Sequence, residues 1–183
     1  EGPGGHSSRV DALTNPIAVL ARAAVALDDL GVAHRGKGPP GFEGIHLNVA
    51  GLDGGIAVNV VPTRATLSFS LRPAPGAGVD ELLGEAERRV RAATAPHAIE
   101  WAVATASPPF ATRDVAAFAP LLGDRVAGAV DLGFWTEAAR LSERGIDAVV
   151  YGPGAVEQAH AADEHVEIAE LEAAQAAFAQ VLA

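Results

Sequence analysis

The sequence contains no cysteine and no methionine, a single lysine (Lys37) and only 5% aromatic residues. Each shortage removes a class of chemistry. Without cysteine there is no disulfide framework and no thiol chemistry, a composition compatible with the reducing cytoplasm in which the protein is expected to work. Without methionine and with few rings, Ala, Val and Leu must fill any core. No run approaches the roughly 18 uninterrupted apolar residues of a membrane span, so no membrane partner is expected. Lys and Arg number 13 against 23 Asp and Glu, a formal net charge of −10. Phosphate contact relies on clustered cations, so a nucleic-acid partner is excluded. The acidic balance chiefly keeps such a chain in solution. What is present, 183 residues with 49% hydrophobic content, suffices for one folded domain or two small ones.

Thr14 or Asn15 can cap, and Pro16 can open, a helix in which Ile17, Leu20, Ala21, Ala24 and Leu27 recur at helical spacing and Gly31 is the stop. A second stripe, Val19, Ala23, Ala26 and Leu30, exceeds what a singly buried helix needs. Either a partner subunit covers it or the helix is simply alanine-rich. Strands are expected over 45–49 and 56–61, joined by a tight hairpin at Gly51-Leu52-Asp53-Gly54-Gly55. Beyond Pro62, Ala65, Leu67, Phe69 and Leu71 alternate with Thr66, Ser68, Ser70 and Arg72, which gives one buried and one open face with Arg72 on the open one. A turn over 73–78 leads to a second helix with Val79, Leu82, Leu83, Ala86, Val90 and Ala93 inward, ended by Pro96 and followed by a strand over 99–104. This βαββαβ order implies a ferredoxin-like α+β domain, a four-stranded antiparallel sheet with two helices on one side. Ser107-Pro108-Pro109 marks a boundary, so domains are expected at 1–107 and 108–183.

In the second part the pattern predicts a short capped helix ending at Gly123, an irregular Gly-rich stretch over 127–133 and a helix over 136–144 stopped by Gly145. A strand over 146–151 follows, and a closing helix starts near Glu167, buried through Ile168, Leu171, Ala174, Phe178 and Val181. After that strand, Gly152-Pro153-Gly154 would deliver His160 to the carboxyl edge of a sheet, where open α/β sheets place ligands. Imidazole beside Glu157, Asp163 and Glu164 supplies donor types that suit zinc. A lone loop histidine equally fits a solvated or hydrogen-bonded group.

Ordered along the chain are Gly4-Gly5-His6-Ser7-Ser8, Asn59-Val60-Val61-Pro62, Leu71-Arg72, and Gly152-Pro153-Gly154 with Ala159-His160 and Asp163-Glu164. Together they resemble the zinc aminoacylase family of acetylornithine deacetylase and succinyl-diaminopimelate desuccinylase. Phe134-Trp135-Thr136-Glu137-Ala138 tilts the resemblance toward acetylornithine and acetylcitrulline deacetylases. The resemblance implies a lid domain that forms a homodimer, followed by the C-terminal portion of a metallopeptidase-like α/β catalytic domain. The family's remaining metal ligands and its general base have no counterpart in these residues. The sequence is therefore expected to be a fragment or truncated form, inactive alone and binding zinc or cobalt weakly, with two ions in the intact enzyme.

The same resemblance assigns residues. His160 matches the last metal ligand, with Asp163 and Glu164 either orienting it or starting the final helix. His6 matches a lid histidine that enters the partner subunit's active site and donates to the oxyanion formed when water attacks the amide carbonyl; its neighbours alone would make it a surface histidine. Asn59 and Arg72 match substrate-binding positions, the guanidinium gripping the substrate carboxylate. Backbone bonding at a bulge and a solvated strand end are their structural alternatives. Thr136, Glu137 and Gly154 complete the expected substrate site; Thr136 is also a good helix cap, and Glu137 suits the δ-ammonium of ornithine. The expected reaction is deacylation of an N-acyl amino acid. A desuccinylase or related carboxypeptidase, and a non-catalytic dimerisation or small-molecule-binding module, are the alternatives.

Overall fold

The computed structural model describes residues 1–122 and 128–182; the helix end expected at Gly123 and the start of the Gly-rich stretch at Ala127 lie outside the described residues. Two compact units result, one comprising Glu1–Pro109 with Gly133–Trp135, the other Phe110–Leu132 with Thr136–Ala183.

The first unit opens with β1 (Gly5–His6) and a 3-10 turn, Ser7–Ala12, before helix α1 (Pro16–Ala33). Asn15 caps α1 as its residue type predicts, its Oδ1 accepting from the N–H of Ile17 at 3.0 Å. Gly31 is not the stop. The helix continues to Ala33, and a Cβ at residue 31 would touch the Leu47 Cβ at 3.6 Å, so this glycine lies inside α1 where the helix meets a strand. The buried residues of α1 are Pro16, Val19, Ala23, Leu27 and Leu30. Val19, Ala23 and Leu30, three members of the second stripe, are thus core residues of this unit, with α2 (Val79–Thr94) packed against α1.

Strand β2 (His46–Gly54) pairs antiparallel with β4 (Ala65–Arg72), from His46 opposite Arg72 to Gly54 opposite Ala65, with a register shift between Val49 and Gly51. The glycines at 51 and 54 therefore belong to a strand and not to a hairpin turn. The strand expected over 56–61 shrinks to β3 (Val60–Val61), which pairs with β1. Since β2 takes β4 as its partner, the residues between become a connection, and Ile56 and Val58 stand 91% and 103% exposed. The four-stranded sheet is accordingly replaced by two two-stranded sheets among the described residues. Residues 99–104 carry no ladder. Ile99 and Trp101 still pack on the core, with the Trp101 ring 5.5 Å from that of Phe69, while Val103 is exposed. The Ile99 carbonyl is taken by the Arg91 guanidinium at 3.3 Å, a side-chain substitute for a strand partner.

Helix α2 buries Leu82, Ala86, Val90 and Thr94, and the Thr94 hydroxyl donates to the Val90 carbonyl at 2.9 Å, so the one buried polar side chain among the described residues is satisfied. Ala23, Leu27 and Leu30 of α1 meet Ala86 and Val90 of α2 over Leu47, Val49, Leu67, Phe69 and Leu71. The opposite face of the β2–β4 pair is exposed at His46, Asn48, Ser68, Ser70 and Arg72. That open face positions the first group of candidate residues.

The second unit holds α3 (Ala119–Leu122), α4 (Ala138–Glu143) and α5 (Ile168–Val181). Gly145 follows α4 at φ +76°, and the Ile146 N–H reaches back to the Leu141 carbonyl at 3.1 Å, the left-handed termination expected of glycine there. Residues 146–151 form no strand among the described residues, because no neighbouring strand offers them a ladder. Side chains hold them instead: the Thr112 hydroxyl donates to the Ala148 carbonyl at 2.6 Å and the Asp147 carboxylate accepts the N–H groups of Arg113 and Asp114 at 2.9 and 3.2 Å. The buried stripe predicted for α5 is also corrected. Ala174 and Ala177 face inward, while Ile168, Leu171, Phe178 and Val181 are exposed, since small residues permit the close approach to α3 and no sheet receives the larger ones. Among the described residues no helix is long and apolar enough to cross a membrane.

Candidate functional site

Two glycines aim His6. Gly4 sits at φ +63° and Gly5 at φ +147°, and a Cβ at Gly4 would stand 2.6 Å from the Thr63 methyl and 3.3 Å from the Val61 carbonyl. Only a residue without a side chain lets the main chain turn this tightly onto β3. The Gly2 N–H donates to Thr63 O at 2.7 Å and the Ser7 N–H to Asn59 O at 3.0 Å, so His6, paired with Val60, comes beside Asn59. Both residues are exposed. The His6 Nδ1 lies 2.8 Å from the Ser8 hydroxyl and 3.2 Å from the Ser8 backbone nitrogen.

Arg72 belongs to the other sheet. It ends β4 on the open face, opposite His46, and its Nη1 donates to the Gly133 carbonyl at 3.2 Å. That leaves most of its five N–H groups for a ligand. A Cβ at Gly133 would stand 3.4 Å from the His46 Nε2, so glycine there makes room for the imidazole. These residues line a cleft of about 430 Å³ together with Asp28, Arg35, Asn48 and Ser70. Two guanidinium groups, an imidazole and neutral donors beside one carboxylate suit a small ligand that carries a carboxylate. His46 is a residue that sequence reasoning missed. Its alternation with Leu47 and Asn48 was a signal, but only the register with Arg72 shows where it acts.

The second unit carries the rest. The Thr136 hydroxyl accepts the Ala138 N–H at 3.3 Å, and Glu137 occupies the N-cap of α4, its carbonyl accepting the Arg140 N–H at 2.9 Å. Gly154, at φ +92°, donates its N–H to the Glu170 carboxylate at 3.0 Å, which ties the turn to the start of α5. His160 is exposed and is the one non-glycine residue with positive φ, +64°, among the described residues. Its N–H donates to the Glu164 carboxylate at 3.1 Å, so Glu164 holds the main chain of the loop. Among the described residues no three His, Cys, Asp or Glu side chains gather where a metal ion could be held. The described donors do not by themselves make a metal centre.

Two carboxylates outside the candidate set are shifted and brace the units. Glu85 is held below the ordinary range by the Arg89 guanidinium, 2.7 Å away, and then by the His34 imidazole at 3.2 Å. Asp147 is lowered chiefly by the Arg113 N–H that it accepts.

Residues 1–98 match the peptidase dimerisation domain family. N-acetyl-L-citrulline deacetylase of Xanthomonas campestris pv. campestris is 36% identical over 72% of this chain and 37% of its own length. Acetylornithine deacetylase of Myxococcus xanthus is 29% identical over 75% of this chain and 37% of its own. Succinyl-diaminopimelate desuccinylase of Halorhodospira halophila is 28% identical over 99% of this chain and 48% of its own. The chain spans less than half the length of each of these relatives. The chain belongs to the peptidase family of acetylornithine deacetylase and succinyl-diaminopimelate desuccinylase, and carries that family's dimerisation domain in its first 98 residues.

Proposed function

We propose that the chain is part of a metal-dependent amide hydrolase that removes the acyl group from an N-acyl amino acid of the acetylornithine or acetylcitrulline type. The likeness to N-acetyl-L-citrulline deacetylase, at 36% identity, carries this reading. Residues 1–107 act as the lid, through which two subunits pair, and residues 108–183 contribute to the catalytic domain. Arg72 grips the substrate carboxylate, and its support is its place in a polar cleft beside His46 and Asn48. Asn59 assists from the strand edge next to His6, which donates to the oxyanion that forms when water attacks the amide carbonyl. Thr136, Glu137 and Gly154 contact the amino-acid side chain. His160 is one donor to a zinc or cobalt centre completed by residues other than those described, and its left-handed backbone is the kind of local strain that functional positions retain.

The test uses the full-length enzyme. Arg72→Ala should lower kcat/KM for N-acetylornithine by about 10- to 100-fold, the range for losing a charge-assisted pair, and should leave the carboxamide analogue almost unaffected. Equal losses on both substrates would refute the carboxylate clamp. A second reading has its own support, since the desuccinylase aligns with 99% of this chain. Faster turnover of N-succinyl-diaminopimelate than of either acetylated substrate would select it.

A further inference from the structure

The two nitrogens of the His6 ring are distinguished by a neighbour that has no choice of role. The Ser8 backbone N–H lies 3.2 Å from the His6 Nδ1, and the Ser8 hydroxyl oxygen 2.8 Å from the same atom. A backbone N–H can only donate, so Nδ1 presents its lone pair, and the hydroxyl, free to rotate, donates to that lone pair as well. The neutral ring must then carry its proton on Nε2. The other tautomer would set two N–H groups against each other. Among the described residues Nε2 has no protein partner, and His6 is exposed. We infer that Ser8 is a positioning residue that locks His6 as the Nε2–H tautomer, so that its outer nitrogen can serve only as a donor, the polarity that an anionic oxygen requires.

The molecule contains its own contrast. His165 Nδ1 lies 2.7 Å from the Asp163 carbonyl oxygen, which can only accept, so that ring holds its proton on Nδ1. One chain therefore fixes two histidines in opposite tautomers by opposite backbone groups. For His6 the consequence is catalytic only if the oxyanion role proposed above is right. The tautomer itself follows from the contacts alone.

Nitrogen-15 NMR of the histidine rings in this 183-residue chain, at a pH where the imidazoles are neutral, reads the tautomer directly. His6 is identified by the signal lost in His6→Gln. The expected pattern is a protonated Nε2 and bare Nδ1 for His6, with the reverse for His165. Ser8→Ala deletes the shorter of the two bonds to Nδ1 and keeps the N–H, so it should weaken the lock and move the His6 signals only part of the way toward the tautomer average, with Ser8→Thr restoring them. A protonated Nδ1 in wild-type His6 would overturn the inference whatever the enzyme does. In the full-length enzyme, Ser8→Ala should lower kcat about fivefold with KM nearly constant, the loss expected when one ordinary hydrogen bond no longer orients the ring. Ser8→Thr should recover it, and Ser8→Ala should add nothing in a His6→Gln background. A full fivefold loss in that background would overturn the positioning role. A shifted tautomer with unchanged kcat would uphold the lock and sink the oxyanion reading of His6.

Discussion

Replacing Gly4 by alanine asks whether β1 truly pins His6, and the cost can be worked from two contributions. At φ +63° an L-residue is in the left-handed region, which costs about 1–2 kcal/mol. The new methyl would also stand 2.6 Å from the Thr63 Cγ2. Thr63 is exposed, so its methyl can turn aside for about 0.5–1 kcal/mol. The sum is about 2 kcal/mol, near 30-fold in an equilibrium constant. A two-residue ladder is too short to transmit this to the core, so the arm should open locally instead of the unit unfolding. Amide hydrogen exchange is therefore the assay. The Gly2 and Ser7 N–H groups, bonded to Thr63 O and Asn59 O, should exchange about 30-fold faster in Gly4→Ala, while the amides of α1 keep their rates. In Gly4→Ala/Thr63→Ser, which deletes the opposing methyl, most of the cost should persist because it resides in the backbone. Full recovery in the double variant would mean that glycine supplies space and not handedness. Unchanged exchange in the single variant would refute the pinned strand.

Leu27 is fully buried between the helices and the sheet, so Leu27→Ala should cost about 3–5 kcal/mol, read as a lower urea midpoint; a loss below about 1 kcal/mol would remove Leu27 from the core. The Glu85 carboxyl is lowered in the folded state by Arg89 and His34, so its stabilisation is complete above the unfolded carboxylate pKa of about 4.3 and is lost as pH falls below that through the folded value. Wild type should therefore lose more stability than Glu85→Gln as the pH is lowered from about 5, and parallel curves would contradict the assignment. His160→Gly relieves a left-handed φ and should leave the chain's melting temperature unchanged or higher, while the full-length enzyme carries less metal per subunit; a clear fall in melting temperature would make His160 a structural residue.

What could be read from the residues and what could not divides along sequence distance. The Asn15 cap, the left-handed Gly145, the alternation of β4 and the Leu82, Ala86 and Val90 part of the α2 stripe are all decided within a few residues, and they appear where the pattern puts them. Gly31, residues 56–61 and the α5 stripe are decided by partners far along the chain. Gly31 reads as a stop because glycine commonly ends helices, yet here it meets Leu47. Ile56 and Val58 have strand propensity but no strand, because β2 spends its ladder on β4 and only Val60 and Val61 find β1. Propensity describes what a segment tolerates, and pairing describes what it receives.

The candidate site shows the same division more sharply. Its residue types could be picked out by motif, but the chemistry available to each depends on a contact that no motif specifies. His6 was recognisable as a histidine between glycines and serines; that it is a donor through Nε2 depends on Ser8 folding back on Nδ1. Arg72 was visible on the open face of a strand; that it faces His46 depends on a register shift near Ala50. Moving the β2–β4 register by one residue would bring Leu47 opposite Arg72 and turn His46 toward the helices. The bulge therefore belongs to the site as much as the guanidinium does, because it makes the polar sequence of β4 and the polar residues of β2 share one face.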